Sequence, residues 1–199
     1  MLNTDETLNR RAKALSVALR ERDAGTSAHC NRVVDLALKL GAKRGLSNPE
    51  LDLLRISAEL HDVGKIGIPD SVLLKTGKLS DDEWATLKTH AAISQRIILE
   101  LDLPNAQMAG FVVRHHHERY DGGGYPDGLA GDAIPLLSRI IALADTYDTM
   151  ASGRVYRKPV PHGKIMETLS AERAHQHDSS LFPDFSSIIE QSAYKSAQP

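Results

Sequence analysis

The chain of 199 residues has a single cysteine, Cys30, so no internal disulfide can staple it. A lone thiol fits a reducing compartment, and a cytoplasmic location is expected. Aromatic residues are scarce, at 5%. The core then has to be built from Leu, Ile, Val and Ala, which favours packed helices. There is no excess of positive charge: 24 Lys and Arg stand against 26 Asp and Glu, for a formal net charge of −2. That balance argues against a nucleic-acid polymer as partner. An anionic ligand would have to be met by local charge, from metals or a few placed side chains. No apolar run approaches the roughly 18–20 residues of a membrane span. The opening stretch, MLNTDETLNRRAK, shows no apolar core of a signal peptide. Strand-like alternation and internal repeats are missing too.

What is present is helical periodicity. Leu8, Ala12, Leu15 and Leu19 recur at helical spacing. They predict an N-terminal amphipathic helix, or a connector from an upstream domain, within residues 1–25. The remainder, 26–199, is expected to be one all-α domain. Thr26 or Ser27 can cap a helix over 28–44. Asn48-Pro49-Glu50 reads as Asn48 at the N-cap with Pro first in the helix, which runs through His61 and stops near Gly64. Ser80 and Glu83 form a capping box. The helix they open carries Trp84, Leu87, His90, Ala91, Ser94, Ile97 and Ile98 on one side. Another starts at Pro104 and ends at the histidine run. Further helices are expected over 136–151, 162–174 and 184–193.

The stretch RHHHERYDGGGYPDG, residues 114–128, sets three histidines beside a glycine-rich turn. Other candidate ligands are scattered along the chain. His29 lies early in one helix, and His61 and Asp62 lie at the end of the next. His90 sits on an apolar stripe, His116 and His117 end a helix, and Asp145 lies inside RIIALADTYDTM. Singly, each has an ordinary reading: a hydrogen-bonded core histidine, a cap, or a solvated helix end favoured by the dipole. Asp145 resists that treatment, because a buried carboxylate costs several kcal/mol or more unless paired or metal-bound. Taken together, groups on five helices can converge inside a bundle. Mixed imidazole and carboxylate donors suit Fe, Mn, Ni or Zn better than Mg or Ca. Seven donors exceed the needs of one tetrahedral ion, and two ions sharing Asp62 would use them economically. Neighbouring residues on a helix point about 100° apart, so His116 and His117 can serve different metals, while His115 points elsewhere.

ELHDVGKIGIPDSVLLKTGKLSDDEW, LKTHAAIS and HHERYDGGGYPDGLAGDAIPLLSRIIALADTYDTMASGRVYRK closely resemble the HD-GYP family of HD-domain metal phosphohydrolases. The match covers roughly residues 26 to 170, in order. The resemblance implies an HD-domain helical bundle with a buried dinuclear metal site. It implies hydrolysis of cyclic di-GMP to pGpG or GMP by a metal-bridging hydroxide. The metal ligands it implies are His29, His61, Asp62, His90, His116, His117 and Asp145. They would hold two divalent transition ions, with Fe or Mn expected first and Ni or Zn next. Asp62 and Lys65 are the implied catalytic residues, with Lys65 on a phosphate. Substrate contacts are implied for Lys65, Arg154, Arg157, Tyr125 and Gly124. The implied partners are cyclic di-GMP and, through the GYP loop, GGDEF-type signalling proteins, with no nucleic-acid polymer and no membrane.

Some positions depart from the family. Gly25 stands where some members carry a glutamate and hold three metals, so two metals are expected. Gly123 replaces a frequent serine and should loosen the loop. His177-Asp178-Ser179 replaces the usual Phe-Asp-Pro, which puts the packing of the last helix in question. Asp148, one turn after Asp145, suits a role orienting a histidine. Tyr125 can stack on guanine or anchor its loop. Two rival functions stand beside the hydrolase: a weakly catalytic module that senses cyclic di-GMP or binds a GGDEF partner, and an HD-class phosphohydrolase on another nucleotide.

Overall fold

Val33, Leu36, Ala37 and Leu40 are fully buried, and their spacing is one face of a helix. They lie on α2 (Thr26–Lys43), whose solvent side carries a one-turn ion pair between Asp35 and Lys39 at 2.7 Å. This is a computed structural model, and it describes residues 13–19, 21–22, 26–101, 105–152, 159–172 and 175–196. The expected N-terminal helix is present over 13–19, labelled α1. Residues 1–12 lie outside the described residues.

The third helix, α3 (Asn48–Leu60), starts one residue earlier than its sequence suggests. Ser47 is the N-cap, with extended backbone, and the Glu50 carboxylate accepts from Ser47 N at 2.8 Å. A capping box needs its acid three residues past the cap, and Glu50 is three from Ser47 but only two from Asn48. Leu54 and Ala58 of α3 join one apolar cluster, while Ile56 and Leu60 join another. The helix is therefore a wall between two cores, and it delivers His61 and Asp62 into the seam where they meet. A 3₁₀ turn, Val63–Gly67, follows at once. Gly64 has to be glycine there, because a Cβ would lie 2.1 Å from the His90 carbonyl oxygen.

After α4 (Asp70–Leu73), the single helix expected from Ser80 onward is two: α5 (Asp81–Lys88) and α6 (His90–Leu99). The capping box at Ser80 and Glu83 is present. At the break, the Thr86 and Thr89 hydroxyls donate to the Asp82 and Thr86 carbonyls at 2.9 and 2.7 Å. Such local bonds compete with helix continuation. Only the second half of the expected stripe reaches a core: His90, Ala91, Ser94 and Ile98 are buried on α6, whereas α5 buries nothing and Trp84 stays exposed.

Then come α7 (Ala106–Arg114), a 3₁₀ turn Gly131–Ala133, α8 (Leu136–Ala151), α9 (His162–Glu172) and α10 (Phe182–Glu190). Every regular element among the described residues is helical, as expected for an all-α chain. The most buried of them is α8, with Ile140, Ile141, Leu143, Ala144 and Tyr147 inside the larger core. The departure at His177-Asp178-Ser179 does not loosen the end of the bundle. Asp178 accepts from Ser180 N at 2.9 Å and from Arg139 at 2.7 Å, and Phe185 and Ile189 of α10 are fully buried. No helix among the described residues is long and apolar enough to cross a membrane.

Candidate metal centre

Three helix ends aim histidines at one point. The Nδ1 atoms of His61, His90 and His116 lie 2.7, 2.8 and 2.6 Å from the carbonyl oxygens of Ala58, Leu87 and Val113, each three residues earlier. These carbonyls lie in last turns, where the regular amide donors four residues on run out. A carbonyl can only accept, so each Nδ1 carries the proton and each Nε2 presents a lone pair. The Nε2 atoms of His61 and His116 are buried with no hydrogen-bond partner. An orphaned buried acceptor costs on the order of 1–3 kcal/mol, so these atoms fit a cation.

Asp62 stands between the imidazoles. Its Oδ2 lies 3.4 Å from His61 Nε2, and its Oδ1 lies 3.4 Å from His90 Nε2. Asp62, His90, His116 and His117 bring one ligand atom each within 4.8 Å of one another, and His29, His61 and Asp145 form a second such group. The seven scattered residues thus gather as two adjacent donor sets joined through Asp62. The Nε2 atoms of His90 and His117 face each other at 3.1 Å, a spacing that a shared proton or a cation relieves.

The second set has an outer support. His29 Nε2 lies 3.1 Å from Asp145, and its Nδ1 lies 2.8 Å from Asp148 Oδ2. Arg32 in turn donates to both oxygens of Asp148, at 2.6 and 2.9 Å. Asp148 therefore fixes the ring of His29 and is itself held. Arg32 escaped sequence reasoning, although its place one turn after His29 on α2 was a usable signal. Ser94 escaped it too. Its buried hydroxyl accepts from Gly64 N at 2.7 Å and donates to the His61 carbonyl at 3.0 Å, tying α6 to the His61-Asp62 corner.

The local electrostatics divide the histidines. Burial pushes the His117 imidazole down to about 3, helped by His90. Burial and the neighbouring imidazoles hold His116 well below its ordinary value, and burial also lowers His90. These rings are neutral donors at pH 7. Burial pulls His29 down as well, but its hydrogen bonds to Asp145 and Asp148 outweigh this and raise it to about 9. Burial opposes ionisation of Asp62, yet Lys65 and His61 hold its carboxyl well below the usual range. Lys65 Nζ sits 2.5 Å from Asp62 Oδ2.

The glycine loop is bolted to this corner. Gly124 leaves no room for a side chain, since a Cβ would lie 2.3 Å from Arg119 N and 2.5 Å from Glu118 Cα. Gly122 takes a positive φ of 82°. Tyr125 packs on His117 with ring centroids 4.9 Å apart. His115 points away from the centre, as expected. Its Nε2 meets Asp127 at 2.7 Å, and Arg114 grips the same carboxylate with two bonds of 2.7 Å. Glu118 accepts from Asp127 N at 2.7 Å. His115, Glu118 and Asp127 cluster closely enough to hold an ion, but the Arg114 guanidinium already occupies that carboxylate, so the cluster is a loop lock. Arg154, Arg157 and Gly25 lie outside the described residues.

A model of the HD domain matches residues 13–181. The chain is an HD-domain protein of the HD-GYP type. It is 42% identical over 173 residues to the cyclic di-GMP phosphodiesterase response regulator RpfG of Xanthomonas campestris, covering 87% of this chain and 45% of that protein. It is 36% identical over 181 residues to 3'3'-cGAMP-specific phosphodiesterase 2 of Vibrio cholerae, covering 91% and 35%. The chain thus spans less than half the length of these relatives. Among solved structures, Bd1817 of Bdellovibrio bacteriovorus, described as an HDG"Y"P protein, superposes with a TM-score of 0.68 at 19% identity, over 94% of this chain and 65% of that one. At that identity the likeness speaks for the HD fold alone.

Proposed function

We propose that this HD-GYP domain is a metal-dependent phosphodiesterase that opens a cyclic dinucleotide, with cyclic di-GMP as the first candidate. The observation that carries the reading is Asp62, whose two oxygens face opposite donor sets at 3.4 Å each. The proposed ligands are His29, His61, Asp62, His90, His116, His117 and Asp145, for two divalent ions, Fe or Mn before Ni or Zn. Ions bound there would supply Lewis acidity and would lower the pKa of water towards neutrality.

The chain's own residues do the rest. The i−3 carbonyls under His61, His90 and His116 keep those rings from swivelling. Asp62 joins the two halves. Lys65, beside Asp62, brings a positive charge to the place where a phosphate would enter. Arg154 and Arg157 are proposed to grip the second phosphate, and Tyr125 and Gly124 to line the entrance. Two relatives named for cyclic-dinucleotide hydrolysis support the reading. The second of them is named for 3'3'-cGAMP, which makes that compound the second substrate to test.

The test is turnover by the anaerobically metallated chain of cyclic di-GMP, 3'3'-cGAMP and a linear dinucleotide, followed by chromatography. The reading expects ring opening of at least one cyclic substrate, lost in Asp62→Ala. Binding without turnover in fully metallated protein would favour a sensing module instead.

A further inference from the structure

Trp84 is the chain's one tryptophan. It is 46% exposed on α5, a helix that buries none of its own residues, and it belongs to neither apolar core. Yet it stands close to the candidate metal centre. Its ring lies edge-on to Tyr125 with centroids 6.4 Å apart and planes at 80°. Tyr125 in turn packs on His117 at 4.9 Å and sees His90 at 6.4 Å. Two aromatic contacts therefore lead from the proposed ligands out to an open indole face. Lys88, one turn along α5, holds its Nζ 5.9 Å from the centre of the Tyr125 ring, so a cation stands at the same edge. Tyr125 is fixed from below, its backbone N donating to the His117 carbonyl at 3.2 Å. Of the neighbours of Trp84 on α5, Asp81, Asp82 and Ala85 are exposed and Leu87 is half-buried, so the indole has little apolar surround. A protein-docking patch needs contiguous apolar area, whereas a nucleobase needs one π face and a nearby cation.

We propose that Trp84 and Lys88 form a base-binding shelf for the substrate of the phosphodiesterase site. A base of the cyclic dinucleotide would stack on Trp84 while its scissile phosphate lies at the histidine–aspartate cluster, and Lys88 would meet the phosphodiester beside that base. The proposal rests on the phosphodiesterase reading. Every base has a π face, so such a shelf adds affinity without choosing between guanine and adenine.

The single tryptophan makes the test direct. The metallated whole chain is titrated with cyclic di-GMP while tryptophan emission is recorded, and steady-state kinetics are compared for wild type, Trp84→Phe and Trp84→Ala. The shelf predicts a saturable emission change. It also predicts a KM raised on the order of tenfold or more in Trp84→Ala, with kcat nearly unchanged and Trp84→Phe close to wild type. Far-UV circular dichroism should match in all three, since the indole fills no core. Wild-type turnover with an unchanged KM in Trp84→Ala would overturn the shelf and leave the phosphodiesterase standing. If the wild type opens no cyclic dinucleotide, the enzymatic reading fails; an emission change on binding would then still support the shelf, and its absence would overturn it.

Discussion

Asp148 holds His29 from behind, 2.8 Å from its Nδ1, while the opposite nitrogen of that ring faces Asp145. Partners of this kind set the tautomer and direction of a ligand and typically govern metal affinity by about 10–100-fold. Asp148→Asn should therefore weaken metal retention in the His29–His61–Asp145 half by that factor. Competition with a chelator, read by mass spectrometry of bound metal, checks it. The expected pattern is loss of one ion before the other.

The metal-free chain should be most stable near pH 6.5. His117 is lowered to about 3 and His116 is also depressed. Below an unfolded-state pKa of about 6.5, the unfolded chain binds more protons than the native one. Stability then falls as pH drops from 6.5 towards 3. His29 is raised to about 9. Between 6.5 and 9 the native state holds the extra proton, and its contribution is lost as pH rises. Melting temperatures of the metal-free protein from pH 5 to 9 should show that maximum. Metal uptake at His29 must expel its proton, so uptake there should strengthen as pH rises towards 9.

Ser94→Ala should destabilise the chain out of proportion to its size. The lost hydroxyl strands Gly64 N and the His61 carbonyl in a buried place. The cost is on the order of 1–3 kcal/mol, or a melting temperature lower by roughly 2–12 °C for a domain of this length. Differential scanning calorimetry measures it directly.

Two glycines of one loop should respond differently. Alanine at Gly124 meets backbone of Arg119 and Glu118 at 2.3 and 2.5 Å, which cannot yield without moving the His116–His117 segment. Alanine at Gly123 meets side-chain atoms alone, the Asp121 carboxylate at 3.1 Å and Arg119 Nε at 3.3 Å, and side chains can turn aside. Gly124→Ala is expected to cut turnover on the order of tenfold or more, as misplaced reacting groups do. Gly123→Ala should stay near wild type. Parallel kinetics of the two variants decide.

Six of the seven candidate donors were legible because they sit in the stretches that resemble the HD-GYP family, with His29 outside those stretches, and because Asp145 has no comfortable place in an apolar helix otherwise. Their mutual geometry was not. That His61, His90 and His116 are each aimed by a carbonyl three residues back depends on where three helices stop. Helix ends are weakly marked in sequence, and the break at Thr89 shows why. The apolar spacing runs on across it, while two threonine hydroxyls end the helix locally. Trp84, which that spacing sets on one side with Leu87 and His90, stays exposed for the same reason. The extra bonds to Asp148 and Asp127, from Arg32 and Arg114, join residues 116 and 13 positions apart. No local pattern announces such pairings.

The central claim is that Asp62 links two ions. It is tested most directly by counting metal in anaerobically reconstituted wild type and Asp62→Ala, with circular dichroism confirming the fold of both. The account predicts two ions per wild-type chain and loss of tight binding in the variant. An equal metal content in the two proteins, or no retained metal in either, would contradict it.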